Sequence, residues 1–286
     1  MSSTMRDGRP RSYFSMVVML LLCLLWTLPT LGLLVTSFRS RDDQLNSGWW
    51  SAIFNPFNAG WTIDNYRRVL EGGAITNSFL NSFVVAIPAT VIPIMFAAFA
   101  AYAFTFMSFR GRDVLFMAII AVMVLPIQVA FQPMLDLLGP RGLGISGQYI
   151  SVWLLHTGFG MPLAIYTLRN YMSTLPRTII ESAKVDGATH YQTFWRLIVP
   201  MSVPVIAAFA ILQFLWVWND LLIAKLFLKA SNSTVIVQVQ GLLGTQGQGA
   251  ELLTAAAFVS FVVPMVVFFS MQRFFVRGLT AGAVKG

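Results

Sequence analysis

Six apolar runs divide this chain, near residues 13–38, 79–107, 114–136, 148–168, 201–223 and 252–272. Each is long enough to cross the hydrocarbon core of a bilayer, which takes about 20 apolar residues in a helix. Within lipid, backbone N–H and C=O groups must be satisfied inside the protein, and a helix does this within one segment. The expectation is therefore an all-α integral membrane protein with six transmembrane helices. Composition agrees, since 57% of the 286 residues are hydrophobic and only 10% charged, against roughly 25% charged in soluble domains.

Arg6, Arg9 and Arg11 precede the first run, as basic residues precede a signal peptide. The run is 26 residues long, however, and no small-x-small cleavage site follows it, so it reads as a retained span. With the N-terminus in the cytoplasm, twelve basic and four acidic residues fall inside, and seven of each fall outside. Lys and Arg favour the inner side, which places both termini in the cytoplasm. The net charge of +8 is then a topology signal, with no nucleic-acid partner behind it. A single cysteine, Cys23, excludes an internal disulfide.

Several chemistries are excluded by residue type. No His, Cys or carboxylate cluster has metal-ligand spacing, and a lone His156 in the fourth span is expected to hydrogen-bond between helices. The glycine-rich GTQGQG stretch is not followed by Gly-Lys-Ser/Thr, so it is no phosphate loop. No paired carboxylates or Ser/His/Asp set suggests an enzyme. In the outer segment 39–78, Trp49, Trp50, Trp61 and Tyr66 read as an aromatic belt at the membrane interface, or as contacts for an external partner. Prolines stand in every span, which suits a path-lining bundle that rocks between two states. The plainer alternative is that proline is simply commoner in membrane helices.

Glu181 to Pro200, ESAKVDGATHYQTFWRLIVP, is charged and heavily punctuated between two apolar runs. Thr174 reads as an N-cap and Pro176 as a first-turn residue of a helix over Arg177–Val185. Asp186-Gly187 breaks that helix, because glycine takes the left-handed conformation at little cost. Thr189 with Gln192 makes a capping box for a second helix, expected to run until Pro200. The result is a helix-turn-helix elbow on the cytoplasmic side.

The spacing of Glu181-Ser182-Ala183, Gly187 and Pro200 resembles the cytoplasmic EAA loop of binding-protein-dependent ABC importers, with Ser182, Leu197 and Val199 as departures from the family pattern. Asn77-Ser78-Phe79-Leu80-Asn81-Ser82 is similar to the start of the transmembrane core of sugar-type permeases, and Trp218-Asn219-Asp220 to their W-N-[DE] signature. The tail from Gly278 to Gly286 looks like that of a maltose-type permease, the shorter six-span member of a pair. The resemblance covers residues 77–286. It implies a MetI-like permease core over 77–272, preceded by 1–76 with the first span and outer loop, and followed by a cytoplasmic tail over 273–286.

By that resemblance the chain is a translocation subunit in a bacterial cytoplasmic (inner) membrane. Its implied partners are a second permease subunit, two ATP-binding cassette subunits that hold ATP and Mg, an extracytoplasmic sugar-binding protein and membrane lipid. The chain itself binds no cofactor. Glu181, Ser182, Ala183, Asp186, Gly187, Ala188 and Pro200 would couple to the ATPase, and Gly278, Thr280, Gly282 and Lys285 would reach it from the tail. The polar residues bordering the spans are largely amides, which both donate and accept, and indoles can cover apolar sugar faces. Asn81, Gln128, Gln132, Gln213, Trp216, Asn219 and Asp220 are therefore the candidate path for a neutral saccharide, a di- or oligosaccharide of the α-glucoside kind by resemblance. The amides could instead only tie helices together, at about 0.6 kcal/mol each. Competing classes are an ion-coupled secondary carrier, which calls for charge inside the membrane, and a structural scaffold.

Overall fold

The structure, a computed structural model, describes residues 13–71, 73–242 and 249–280. The chain forms two compact units: one takes in the chain up to Gly72 together with Leu242–Val259, the other Gly73–Gly241 with the chain from Ser260 on.

In the first unit, α1 (Tyr13–Ser37) is the first span, and the segment after it folds into α2 (Arg41–Asn46), α3 (Trp49–Phe54) and α4 (Asp64–Glu71). Arg39 organises this segment. Its side chain is buried, and its guanidinium donates to the carbonyls of Ala59 at 3.3 Å, Ser47 at 3.1 Å, Gly48 at 3.0 Å and Asp43 at 2.9 Å, and to the Ser47 hydroxyl. A buried cation is tolerable only when its donors are satisfied, and here backbone oxygens do that. Asn65 Nδ2 closes the knot by donating to the carbonyls of Ser37 and Arg39, both at 2.9 Å. Of the expected aromatic belt, Trp50 and Trp61 are exposed, while Trp49 packs its ring over Gly32 of α1.

The second unit is built on α5 (Ala74–Phe106), followed by α6 (Arg112–Val122), α7 (Phe131–Leu138) and α8 (Tyr149–Met172). Then come α9 (Arg177–Val185), α10 (His190–Thr193), α11 (Val199–Trp218), α12 (Leu222–Phe227) and α13 (Val235–Gly241). Last, α14 (Ala250–Thr280) begins in the first unit and ends in the second. Ala97, Ala98 and Ala101 of α5 and Ala164 of α8 are buried in the core they share with α11. Small residues let helix backbones approach closely in a medium where hydrophobic burial gives no drive.

Two prolines of α5 show how this core copes with broken ladders. Proline has no N–H, so Pro88 frees the carbonyl of Val84 and Pro93 that of Ala89. Trp153 Nε1 of α8 donates to Val84 at 2.9 Å, and Gln213 Nε2 of α11 donates to Ala89 at 3.2 Å. Both orphaned carbonyls are satisfied by side chains of neighbouring helices.

The spans depart from the sequence expectation in three places. Among the described residues, four helices are long and apolar enough to cross a membrane alone: Tyr13–Ser37, Ile75–Phe106, His190–Trp218 and Ala250–Gln272. The expected third span is broken: Arg112–Val122 and Ile127–Leu138 pass the same test together but meet at 94°. Pro126, extended at φ −62° and ψ 124°, ends the ladder there and disfavours helix in the residue before it. The expected fourth span, α8, has 24 residues but not the apolarity of the others. It buries Ser151, His156 and Gly160 against its neighbours, so it needs less apolar surface for lipid.

Pro200 is the third departure. It does not end the second elbow helix: α10 continues through a wide π-turn at Phe194–Ile198 into α11. There Val199 N–H donates to Phe194, five residues back. The widened turn falls where the proline would otherwise break the ladder. The cap at the start of α9 is also reassigned. Thr174 Oγ1 donates to the Tyr171 carbonyl at 2.8 Å, finishing α8, and Pro176 takes the N-cap position of α9.

Candidate functional site

The elbow is shaped by its own punctuation. Gly187 has φ +77°, its N–H donates to Lys184 at 3.0 Å, and Ala188 N–H donates to Ala183 at 2.9 Å. These are the two bonds of a Schellman motif, which satisfies the last carbonyls of α9. The capping box at α10 is present, with Thr189 N–H donating to Gln192 Oε1 at 2.9 Å and Gln192 N–H to Thr189 Oγ1 at 3.3 Å.

Packing then fixes which face points out. Ile180 and Ala183, three apart, are buried, whereas Glu181, Ser182, Asp186, Gly187 and Pro200 are exposed and Ala188 is half-buried. On the second helix, His190 Nδ1 and Tyr102 Oη share a hydrogen bond of 2.9 Å, and Phe194 stacks on Phe99 with centroids 4.6 Å apart. Val185 is 88% exposed and Tyr191 70%. Sequence reading missed both, since an aliphatic and an aromatic residue within helical runs give no sign of facing solvent. Val185 borders the same shallow hollow as Glu181, Ser182 and Asp186.

A second feature lies at the knee between α6 and α7. A cleft of about 410 Å³ is lined there by Met123, Leu125, Pro126 and Ile127 from the break, by Gly158, Phe159, Gly160 and Pro162 from α8, and by Gln213 and Trp216 from α11. None of the lining residues is charged. A Cβ on Gly160 would stand 2.7 Å from Gln213 Nε2, so glycine makes room for the amide that also repairs α5. Irregular backbone at membrane depth is tolerated where it borders a cavity, which is the arrangement at this knee.

Of the seven candidate path residues, the structure brings two to this cleft, Gln213 and Trp216. Asn81 is engaged elsewhere: its Nδ2 donates to the carbonyls of Ser231 at 3.3 Å and Ser233 at 3.1 Å, and its Oδ1 accepts from Tyr149 Oη at 2.7 Å. Asn219 Nδ2 donates to Leu215 at 2.8 Å at the end of α11. Gln128 is exposed beside the knee, and Gln132 reaches Asp136 at 3.4 Å.

Asp220 Oδ2 accepts from Ala224 N–H at 3.0 Å and so opens α12. His156 is not the interhelical hydrogen bonder that its sequence position suggests. Neither ring nitrogen has a hydrogen-bond partner among the described residues, and the ring meets Trp216 at right angles, centroids 5.3 Å apart. Of the tail residues, Gly278 and Thr280 continue the backbone of α14, while Gly282 and Lys285 lie outside the described residues.

Comparison with known proteins matches this architecture. Residues 93–281 fit the family described as binding-protein-dependent transport system inner membrane component. The chain is 48% identical to the osmoprotective compounds uptake permease protein GgtD of Synechocystis sp. PCC 6803, over 94% of this chain and 91% of that one. It is 40% identical to the alpha-glucoside transport system permease protein AglG of Rhizobium meliloti, over 93% and 95%. In fold it is similar to a chain of a bacterial ABC transporter that imports the polysaccharide alginate, with a TM-score of 0.75 at 19% identity, covering 96% of this chain and all of the other. This chain belongs to the binding-protein-dependent transport system inner membrane components: it is a permease subunit of an ABC importer, a transport protein and not an enzyme.

Proposed function

We propose that this permease carries a neutral saccharide, of the α-glucoside or small oligosaccharide kind, through a path whose wall includes the cleft at the α6–α7 knee. The observation that carries this reading is the cleft itself: an indole and an amide stand at its wall, and among the described residues no charged side chain lines it. An anionic cargo would call for Arg or Lys at hydrogen-bond reach. AglG is named for alpha-glucosides, which agrees with the cargo class. An ion-coupled carrier needs charge within the membrane, and family membership speaks against that class.

In this reading Glu181, Ser182, Ala183, Asp186, Gly187, Ala188 and Pro200 form the docking elbow for an ATP-binding cassette subunit, joined by the exposed Val185 and Tyr191. Two such subunits, with ATP and Mg, serve this chain and a second permease, and an extracytoplasmic sugar-binding protein delivers the cargo. Both termini face the cytoplasm, where the tail from Gly278 through Lys285 contacts the ATPases. The test is uptake into proteoliposomes holding the assembled importer, competed with neutral sugars, sugar phosphates and amino acids. Neutral sugars should compete; competition by charged solutes alone would sink the reading.

A further inference from the structure

His156 stands midway along α8 with 1% of its surface exposed. A neutral imidazole carries one donor and one acceptor, and both are left without partners here. Leu or Met would fill the same interior volume without that penalty. What surrounds the ring is specific. Trp216 of α11 meets it at 89°, and Nε2 lies 3.8 Å from Asp220 Oδ2. That separation is beyond a hydrogen bond, and a shift of about 0.8 Å would make one. Trp216 lines the cleft, and Asp220 starts α12. The imidazole therefore sits behind the cleft's indole wall, with a carboxylate within reach of one ring nitrogen.

We propose that His156 is a positioning residue for cargo: it props the Trp216 indole as a wall of the cleft, and its bond to Asp220 is made when a saccharide loads that wall. A perpendicular ring supports an indole without competing for its open face. Trp216 is 36% exposed and lines the cleft, so a surface remains for a sugar. A contact that closes only when cargo is bound favours the loaded form, because only differential interactions shift such an equilibrium. This rests on the reading of the knee cleft as part of the cargo path.

The test is uptake of radiolabelled maltose and trehalose, two neutral α-glucosides, by the complete importer in proteoliposomes. His156→Phe keeps the ring and removes its nitrogens. It should raise KM about tenfold with Vmax little changed, the signature of lost binding. His156→Gln, which keeps a donor and an acceptor, should recover most of the loss. In a Trp216→Leu background, His156→Phe should add nothing. Wild-type KM in His156→Phe with raised KM in Trp216→Leu overturns the positioning role and leaves the cleft standing. Wild-type KM in Trp216→Leu removes the cleft from the path and this proposal with it. His156→Leu is made in parallel as a second apolar variant, and if neither apolar variant assembles, His156 is a packing element and the proposal falls.

Discussion

Gly187→Val separates coupling from folding. Gly187 has φ +77°, and a Cβ built there meets nothing within 4 Å. The added Cβ itself therefore meets open space, and the expected cost is backbone strain. Forcing a residue with a Cβ into the left-handed region costs roughly 1–2 kcal/mol, with valine expected at the upper end. Each 1.4 kcal/mol is about tenfold in an equilibrium, so the equilibrium constant for the elbow's docked shape should fall about ten- to thirtyfold. Gly111, at φ +82° with equally open space, supplies a matched control on another turn. In proteoliposomes the complex should assemble with either variant. ATPase activity stimulated by sugar and binding protein should fall about tenfold for Gly187→Val and little for Gly111→Val. Gly187→Asn should recover much of the loss, because asparagine tolerates positive φ. Full stimulation in Gly187→Val, or an equal loss in Gly111→Val, would refute the assignment of the elbow as the coupling element.

Three further outcomes are expected. Arg39→Leu takes the guanidinium donor from the carbonyls of Ala59 and Ser47, while those of Gly48 and Asp43 keep bonds from Ser51 and Ser47. At about 1–3 kcal/mol for each buried orphan, the outer segment should lose several kcal/mol and become open to protease added outside; unchanged resistance would contradict the knot. Gln213→Leu bares the Ala89 carbonyl and should cost about 1–3 kcal/mol in thermal unfolding of the purified complex. Adding Pro93→Ala supplies an N–H four residues on and should cancel that loss, whereas additive effects would show that the repair is not real. Single cysteines at Ser3 and Gly286, placed in a Cys23→Ser background, should react with impermeant reagents only from the cytoplasmic side, as the charge asymmetry demands.

Local punctuation was legible in the sequence, and long-range satisfaction was not. The Schellman turn at Gly187 and the capping box at Thr189 depend on residues within one or two turns, so their spacing revealed them. Thr174 misled because the same hydroxyl that can cap a following helix can also donate back to the one before it. Pro200 misled because a π-turn absorbs it, and nothing in FWRLI marks a wide turn. Gln213 looked like a cargo amide; its donor belongs to a carbonyl 124 residues away that a proline freed. Asn81 was offered for the path and is a tie between α5 and the segment before α13. Arg39 counted only as one outer charge, although it carries the fold of its segment.

The elbow and the cleft lie on one helix, and this links the two halves of the proposed function. From His190 to Trp218 the chain runs without a break, and Gln213 and Trp216 stand near its far end. At about 1.5 Å per residue, His190 and Trp216 are roughly 40 Å apart along the axis. A helix of that length carries displacement only if its neighbours hold it straight. On α5 the two freed carbonyls are taken up by Trp153 and Gln213, so the α5, α8 and α11 core is stiffened where its ladder is weakest. The α6–α7 knee turns through 94°, and it borders the cleft that Gln213 and Trp216 line from the other side. On the proposed coupling, movement entering at the elbow would travel along the stiff helix and be expressed at the knee. The compliance of this permease is then concentrated where the cargo would pass.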